Sequence, residues 1–357
     1  MTRTQKFFYY GLMLALVACA FIFGHIPHDP AHLALGAIAL NTTAFPVNPE
    51  LTAIAIAYKN PDEQLIADLV LPRVPTPKVF KYTVYDQSQG FTVPDTKVGR
   101  RSEPNMVDFG GTSVQGETLD YGLDDLIPND EIEAWESMAK PATGGPINPM
   151  DFSTMMLTGL VQLDREIRVA NLVFGAANYS AGNQTTLSGT SQWSDQVNSN
   201  PLTAITDAMD VPLVRPNYLV LGQRTWTNLR RHPKIAQAIG HSAQTAGYAS
   251  RQQVAELLEL DGIIVGQSRV NTAKKGQAPN YIRTWGNHAA LLHISPMAAQ
   301  MGQPTFGWTA MWGTRIAGVL PEPKAGLSGS MRVRSGERVL EVISSTDAGY
   351  FFQNATA

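Results

Sequence analysis

The chain has 357 residues, with 27 basic against 30 acidic side chains and a formal net charge of -3, so taken whole it carries no basic footprint for nucleic acid. Only 16% of its residues are charged while 44% are apolar; a soluble monomer is usually roughly a quarter charged, and a chain so far below that hides much of its surface, burial between subunits being one way. The single cysteine, Cys19, lies in the N-terminal apolar run, which excludes disulfides within the body and a cysteine-based metal site.

Arg3 and Lys6 precede an uncharged, mostly apolar run from Phe7 to Gly24. Its length is near that of the shortest transmembrane helices, and Ala15, Ala18 and Ala20 also fit a secretory signal. Leu16-Val17-Ala18-Cys19 resembles the lipobox of bacterial lipoproteins, with Cys19 as the lipidated residue. The same run equally fits a hydrophobic helix that packs within an assembly or is later removed, so membrane contact by this leader stays open. Pro27 and Pro30 end the run, and His25, His28 and His32 straddle these prolines, so no regular helix presents them together to a metal. Residues 1–46 are read as a hydrophobic leader, either a prosegment or a scaffold-like helix, and Asn41–Pro49 as a linker.

Leu51–Tyr58 and Glu63–Leu71 are short apolar segments, and Pro72, Pro75 and Pro77 predict that Leu71–Lys78 is extended and surface-running. Val79–Asp86 alternates as a strand, with Phe80, Tyr82 and Val84 on one face. The next expected strand is near Met106–Phe109, after about 20 residues rich in Gly and Pro, an uncommon length for an unstructured loop. Phe91, Val93, Val98, Lys97, Arg100 and Arg101 on it suggest a long hairpin built to lie on something. Asn148-Pro149-Met150-Asp151 is a helix start, and Phe152, Met156, Leu160, Leu163, Ile167, Ala170 and Phe174 form one helical stripe. Arg165, Glu166 and Arg168 lie largely off it, Asp164 and Arg168 pair at i,i+4, and Gly175 is placed to close the helix.

From Pro201 helices alternate with strands: Leu202–Met209, Arg224–Arg231 and Arg251–Leu260 are predicted helical, and Tyr218–Leu221, Gly262–Val265, Tyr281–Trp285 and Ala289–Ile294 are predicted strands. Thr305–Trp312, Met331–Arg334 and Arg338–Ile343 are further strands, separated by turns. The sum is an α+β chain without internal repeats.

Reaction chemistry is hard to find. No nucleophile elbow, Walker A, dinucleotide-binding or zinc-protease motif occurs. His288 and His293 fall on opposite faces of a strand, and His232 and His241 have no evident carboxylate partner. The acidic group Asp120, Asp124, Asp125, Asp130, Glu131 and Glu133 lacks EF-hand spacing. It reads as a solvated face or as a surface for basic groups of another subunit, for which Arg100 and Arg101 are the candidates. The Trp residues 193, 226, 285, 308 and 312 are taken as core. The expectation is no catalytic residue, no cofactor and no metal, with Arg100, Arg101, Asp124 and Asp125 as inter-subunit contacts.

The stretches NPELTAIAIAYKNP, FTVPDTKVGRRS, DYGLDD, LDREIRVANLVF, TLSGTSQWSD, RRHPKI, VNTAKKGQ and GYFFQNA run from Asn48 to Ala355. As a set they resemble the major capsid proteins of tailed bacteriophages, of the Hong Kong-type capsid fold. The resemblance implies a leader (1–46), an N-terminal arm (47–78), an extended loop region lying across a neighbouring subunit (79–120), and a peripheral domain (121–200) holding a spine helix at 149–174. It further implies an axial domain (201–295) meeting its copies at the centre of hexamers and pentamers, and C-terminal strands (296–357) that complete the peripheral domain. It implies a virion shell assembled in the host cytoplasm round DNA, without sequence-specific binding. Scaffold, portal and decoration proteins and a maturation protease are the implied partners. The leader departs from the family pattern, in which the chain begins near FPVNPELTAIAIAY. A covalent inter-subunit crosslink, known in one branch of the fold, has only Lys97 as a positional candidate. The competing reading is an exported or lipid-anchored bacterial binding protein.

Overall fold

The computed structural model describes residues 47–57, 65–85, 91–107, 110–138, 147–240, 248–295 and 304–357; the leader with Cys19, His25, His28 and His32 lies outside them, as does His241. Helix α1 (Pro49–Ala57) starts on Asn48, whose side chain accepts from the Glu50 N–H at 2.9 Å, and packs Leu51 and Ala55 on Ala317. A short α2 (Ala67–Val70) leads into strand β1 (Arg73–Pro75). The Pro-rich stretch is extended as expected, but it does not begin on the surface: Leu71 is wholly buried, because α2 turns it into the core before Pro72.

Strands β2 (Val79–Tyr85) and β3 (Gly111–Glu117) pair antiparallel from Val79↔Glu117 to Tyr85↔Gly111. The return strand therefore starts at Gly111 and not near Met106, and Met106 and Val107 stay exposed in the loop. The register is set at the base of the hairpin. There Phe80 lies opposite Gly116, where a Cβ would come within 2.7 Å of its ring, and packs on Trp308 with ring centroids 5.6 Å apart. Strand β4 (Leu119–Pro128) and the acidic helix α3 (Asn129–Ser137) follow.

The long helix α4 (Pro149–Val173) is capped by Asn148, whose side chain accepts from the Met150 N–H at 3.0 Å. Its 25 residues span about 38 Å. Its buried face follows the expected stripe only in its C-terminal part, where Ala170 is buried and Phe174 packs on the core, and it also takes in Leu157, Val161, Val169 and Val173. Phe152, Met156 and Leu160 are 53%, 51% and 50% exposed, while Ser153, Thr154, Thr158, Arg165 and Glu166 are buried. In the N-terminal part, polar partners on the sheet beneath hold the buried polar residues: Thr158 hydrogen-bonds Ser335 at 2.9 Å and Ser153 donates to Asp125 at 2.7 Å.

Next come β5 (Gln184–Thr186), α5 (Pro201–Met209), β6 (Tyr218–Gly222), α6 (Gln223–Arg230), α7 (Pro233–Ala238), α8 (Arg251–Leu257) and β7 (Gly262–Gly266). Helix α8 ends before the predicted Leu260, since Glu259 takes a left-handed φ of 53°. Strands β8 (Arg269–Asn271) and β9 (Tyr281–Arg283) form a separate hairpin, and β10 (Ala289–Leu292) returns to the sheet. The C-terminal part holds β11 (Gly307–Met311), β12 (Ile316–Glu322), β13 (Ser330–Ile343) and β14 (Gly349–Gln353).

Two five-stranded sheets result. In the first, β13 is central: it pairs with β4, β12 and β11, and β1 adds parallel to β11. The second has the order β5-β14-β10-β6-β7. Sheet membership thus cuts across the boundary expected at 296, because β14 leaves the other C-terminal strands and joins β10 and β5. The second sheet is apolar on both faces. Leu219, Leu221 and Phe352 meet α5–α8 around Trp193 and Trp226, while Val220 and Phe351 meet Val169, Val173 and Trp285. Trp312 departs from the expected core position, at 36% exposed beside the Arg338 guanidinium.

The two strands expected at Met331–Arg334 and Arg338–Ile343 are one, β13. Its middle, Ser335-Gly336-Glu337, has turn composition but is buried pairing. A Cβ at Gly336 would sit 2.5 Å from the Tyr121 carbonyl oxygen of β4. Gly336→Val is therefore expected to destabilise the subunit by about 1–3 kcal/mol through forced overpacking; unchanged urea unfolding would show that β4 and β13 do not approach this closely.

Candidate assembly interface

Two adjacent charged residues of α4, Arg165 and Glu166, are almost fully buried. Glu166 caps α2 from outside: its carboxylate accepts from the N–H groups of Ile66 at 2.9 Å and Ala67 at 2.8 Å, and from the Trp285 indole at 2.5 Å. Burial pushes this carboxyl above its ordinary value despite these donors. Arg165 pairs with Asp68 and donates to the Leu71 carbonyl at 3.3 Å and to Thr309 at 3.0 Å. Burial, and next the Arg73 charge, lower its pKa. Arg73 bridges Asp68 at 2.7 Å and Glu337 at 2.8 Å, and Arg315 reaches Glu337 at 3.2 Å. Burial alone would raise the Asp68 and Glu337 carboxyls; the facing guanidiniums, led by Arg165 at Asp68 and Arg73 at Glu337, overcome it and hold both below the usual carboxylate range. This network fastens the arm root (66–73), the middle of α4 and the central strand β13 to one another. The β2–β3 hairpin leaves from that fixed platform.

Outward from it the surface changes character. The loop carries Phe91, Val93 and Met106 at 63%, 84% and 99% exposure. Its tip has local order of its own: Asn105 donates to the Asp95 carbonyl at 2.7 Å, and the Asp95 side chain accepts from the Lys97 N–H at 2.9 Å. Arg100 and Arg101 sit on this tip, exposed, in a turn closed by Ser102 N–H to Gly99 at 3.1 Å. A second exposed apolar surface, the stripe Phe152-Met156-Leu160, lies on α4 at helical spacing.

The expected acidic partners are placed differently. Asp124 stands directly across from Arg334 in the β4–β13 ladder and accepts from its Nε at 2.6 Å and from a terminal nitrogen at 2.7 Å, with Arg332 at 3.6 Å. The Arg334 hydrogen bonds, and then its charge with that of Arg332, lower the Asp124 pKa. Asp125 accepts from Ser153, and Asp120 pairs with Arg338 at 3.3 Å. Asp130, Glu131 and Glu133 lie on α3, which buries none of its residues. Within one chain the structure does not bring Arg100 and Arg101 to these acids. The residues sequence reasoning missed are Arg332, Arg334 and Arg338. The alternation Arg-Val-Arg-Ser-Gly-Glu-Arg was their signal, hidden by reading a turn in its middle.

The described histidines form no joint site. His232 is buried against Ser199 at 3.1 Å, His288 accepts from the Asn354 N–H at 3.0 Å, and His293 faces the Arg215 carbonyl at 2.9 Å. Among the described residues no three His, Cys, Asp or Glu side chains gather as a metal site, and no helix is long and apolar enough to cross a membrane.

No family model matches the chain. The major capsid protein of Pseudomonas phage JBD67 is 48% identical to it over 319 residues, covering 89% of this chain and all of that protein. The chain belongs to the phage major capsid proteins. The crystal structure of a phage-related protein from Bordetella bronchiseptica RB50 superposes with a TM-score of 0.66 at 21% identity, over 88% of this capsid protein and 99% of the other chain. The capsid structure of cyanophage P-SCSP1u gives 0.53 at 11% identity, over 89% and 93%. The fold is the Hong Kong-type capsid fold, and the capsid protein is a structural subunit of the virion shell.

The buried network has a pH signature. Glu337, lowered in the fold, adds stability that is present above about pH 4.3 and lost as pH falls through its folded value. Glu166, raised in the fold, has the opposite sign: its contribution is lost as pH rises through its folded value. Glu337→Gln is expected to cost about 3–5 kcal/mol near pH 7, where guanidiniums lose a buried partner. The difference from the native protein should narrow below about pH 4. Urea unfolding of the dissociated subunit at both pH values measures it, and a pH-independent difference would contradict the ion pairing.

Proposed function

We propose that this capsid protein assembles in the host cytoplasm, first as hexamers and pentamers of a procapsid, and that the shell closes round DNA without reading its sequence. It acts by association and is not an enzyme. The observation that carries this reading is the pair of apolar surfaces left open by one subunit, the 91–107 loop and the α4 stripe. Fully burying one such side chain is worth about 1.5–3 kcal/mol before the entropy of association is subtracted. The loop residues Phe91, Val93, Val98 and Met106 and the helix residues Phe152, Met156 and Leu160 therefore supply a driving force that no isolated subunit can use.

In this reading the 79–120 region lies across a neighbouring subunit and Arg100 and Arg101 orient it. They find acids that keep spare acceptor capacity: Asp125 of β4 and Asp130, Glu131 and Glu133 of α3. Asp124 contributes less, since Arg334 already occupies it. Scaffold, portal and decoration proteins and a maturation protease are included as partners on the strength of the family alone. The leader acts during assembly; the alternative of an exported or lipid-anchored binding protein gains no support from the relatives.

Two double variants test the reading. Met156→Glu with Leu160→Glu is expected to leave a folded subunit that forms no shells by electron microscopy, because exposed positions accept charge without loss of core. Arg100→Glu with Arg101→Glu is expected to lower shell yield with the circular dichroism of the subunit unchanged. Normal shells from the first variant would remove the α4 stripe as a contact; normal shells from the second would remove the arginine tip.

A further inference from the structure

Between Asp261 and Glu322 the sequence has no acidic residue, yet it places Arg269, Lys274, Lys275 and Arg283 within the β8–β9 hairpin segment. In that hairpin Arg269 lies directly opposite Arg283. Like charges in that position destabilise a two-stranded ribbon. A second basic pair comes from α6 and the residue after it: Arg224 and Arg231, both exposed. The two pairs converge on two adjoining cavities of about 470 and 480 Å³ that share Gln223 and Arg283 as lining. Arg224 and Arg231 line the first with Ala357, and Arg269 lines the second.

No aspartate or glutamate lines either cavity. Among the described residues none of the four arginines forms an ion pair. Two of them are oriented but not neutralised: Arg231 donates to the Asn228 side chain at 2.7 Å and Arg283 to the Gln267 carbonyl at 3.4 Å. Burial, and next the Arg269 charge, lower the Arg283 pKa. Helix α6 begins here after Gly222, which offers no side chain to cap its first N–H groups, so the positive end of the helix adds to the same field.

We propose that these two cavities form one groove that takes consecutive phosphate groups of a polyanion. Four guanidinium forks over two adjoining cavities exceed what one carboxylate can satisfy. They suit tetrahedral phosphate oxygens, which accept paired N–H donors from arginine. The contacts are to phosphate alone, so the groove does not read sequence. A nucleic-acid backbone and inorganic polyphosphate present the same chemistry. The groove is a local exception to a chain whose net charge is -3.

The test uses the full-length protein, as capsomers and as shells, with a fluorescein-labelled oligothymidylate followed by anisotropy across a salt series. Arg269→Gln with Arg283→Gln is expected to weaken binding roughly tenfold or more and to make the log–log salt dependence shallower by about 1.4, at about 0.7 for each phosphate that is no longer neutralised. Lys81→Gln, which removes one charge on the β2 strand outside the groove, should change neither. The double variant should melt no lower than the native protein, since a repulsive pair is removed; if it does melt lower, the exposed Arg224→Gln gives the same reading with a smaller shift. Unlabelled polyphosphate should displace the oligonucleotide and poly-glutamate should not. Displacement by polyphosphate at equal phosphate concentration identifies the phosphates alone as ligand; a clear preference for the oligonucleotide identifies the nucleic-acid backbone as source. Binding undiminished in the arginine variants, an equal loss in Lys81→Gln, or equal displacement by poly-glutamate would overturn the proposal.

Discussion

The Glu166 carboxylate, buried inside the subunit and holding the first N–H groups of α2 and the Trp285 indole, is the constraint on which the rest of the fold is hung. A buried carboxylate is costly unless every lone pair finds a donor. Here the donors come from two distant parts of the chain, so the site is complete only when the arm root, α4 and the segment carrying Trp285 are all in place. Arg165 beside it repeats the requirement with Asp68, Leu71 and Thr309. The pair ties these segments together through directional hydrogen bonds, which specify one arrangement more narrowly than an apolar contact of equal size.

That choice has a cost on the other side of the helix. A helix that turns Arg and Glu inward has fewer inward positions for its large apolar residues, and α4 leaves Phe152, Met156 and Leu160 half exposed. In a monomer this is a liability. In the proposed reading it is a contact between subunits, which fits a chain with a charged fraction of only 16%. The buried network and the exposed stripe are two faces of one helix, the first fixing the subunit and the second proposed to join it to others.

Much of this was legible in the sequence. The Asn148 cap, the length of α4, the β2 strand and the alternation of helices and strands after Pro201 follow from spacing and capping alone. The exposure of Phe152, Met156 and Leu160 in the first half of α4 was not, since an apolar stripe does not by itself say which of its positions its own subunit covers. Nor was the continuity of β13, because Ser-Gly-Glu is ordinary turn chemistry until a glycine is needed for the close approach of Tyr121 and a glutamate for Arg73 and Arg315. Asp124 stood out as a charged contact, but its partner Arg334 lies 210 residues away, a pairing that only the ladder between β4 and β13 reveals.

The most direct measurement is a cryo-electron microscopy reconstruction of assembled particles at side-chain resolution. Residues 91–107 of one subunit are predicted to lie on a neighbour, with Phe152, Met156 and Leu160 covered by another chain. A shell in which that stripe faces solvent and each loop folds back on its own subunit would contradict the assembly role of the two open surfaces.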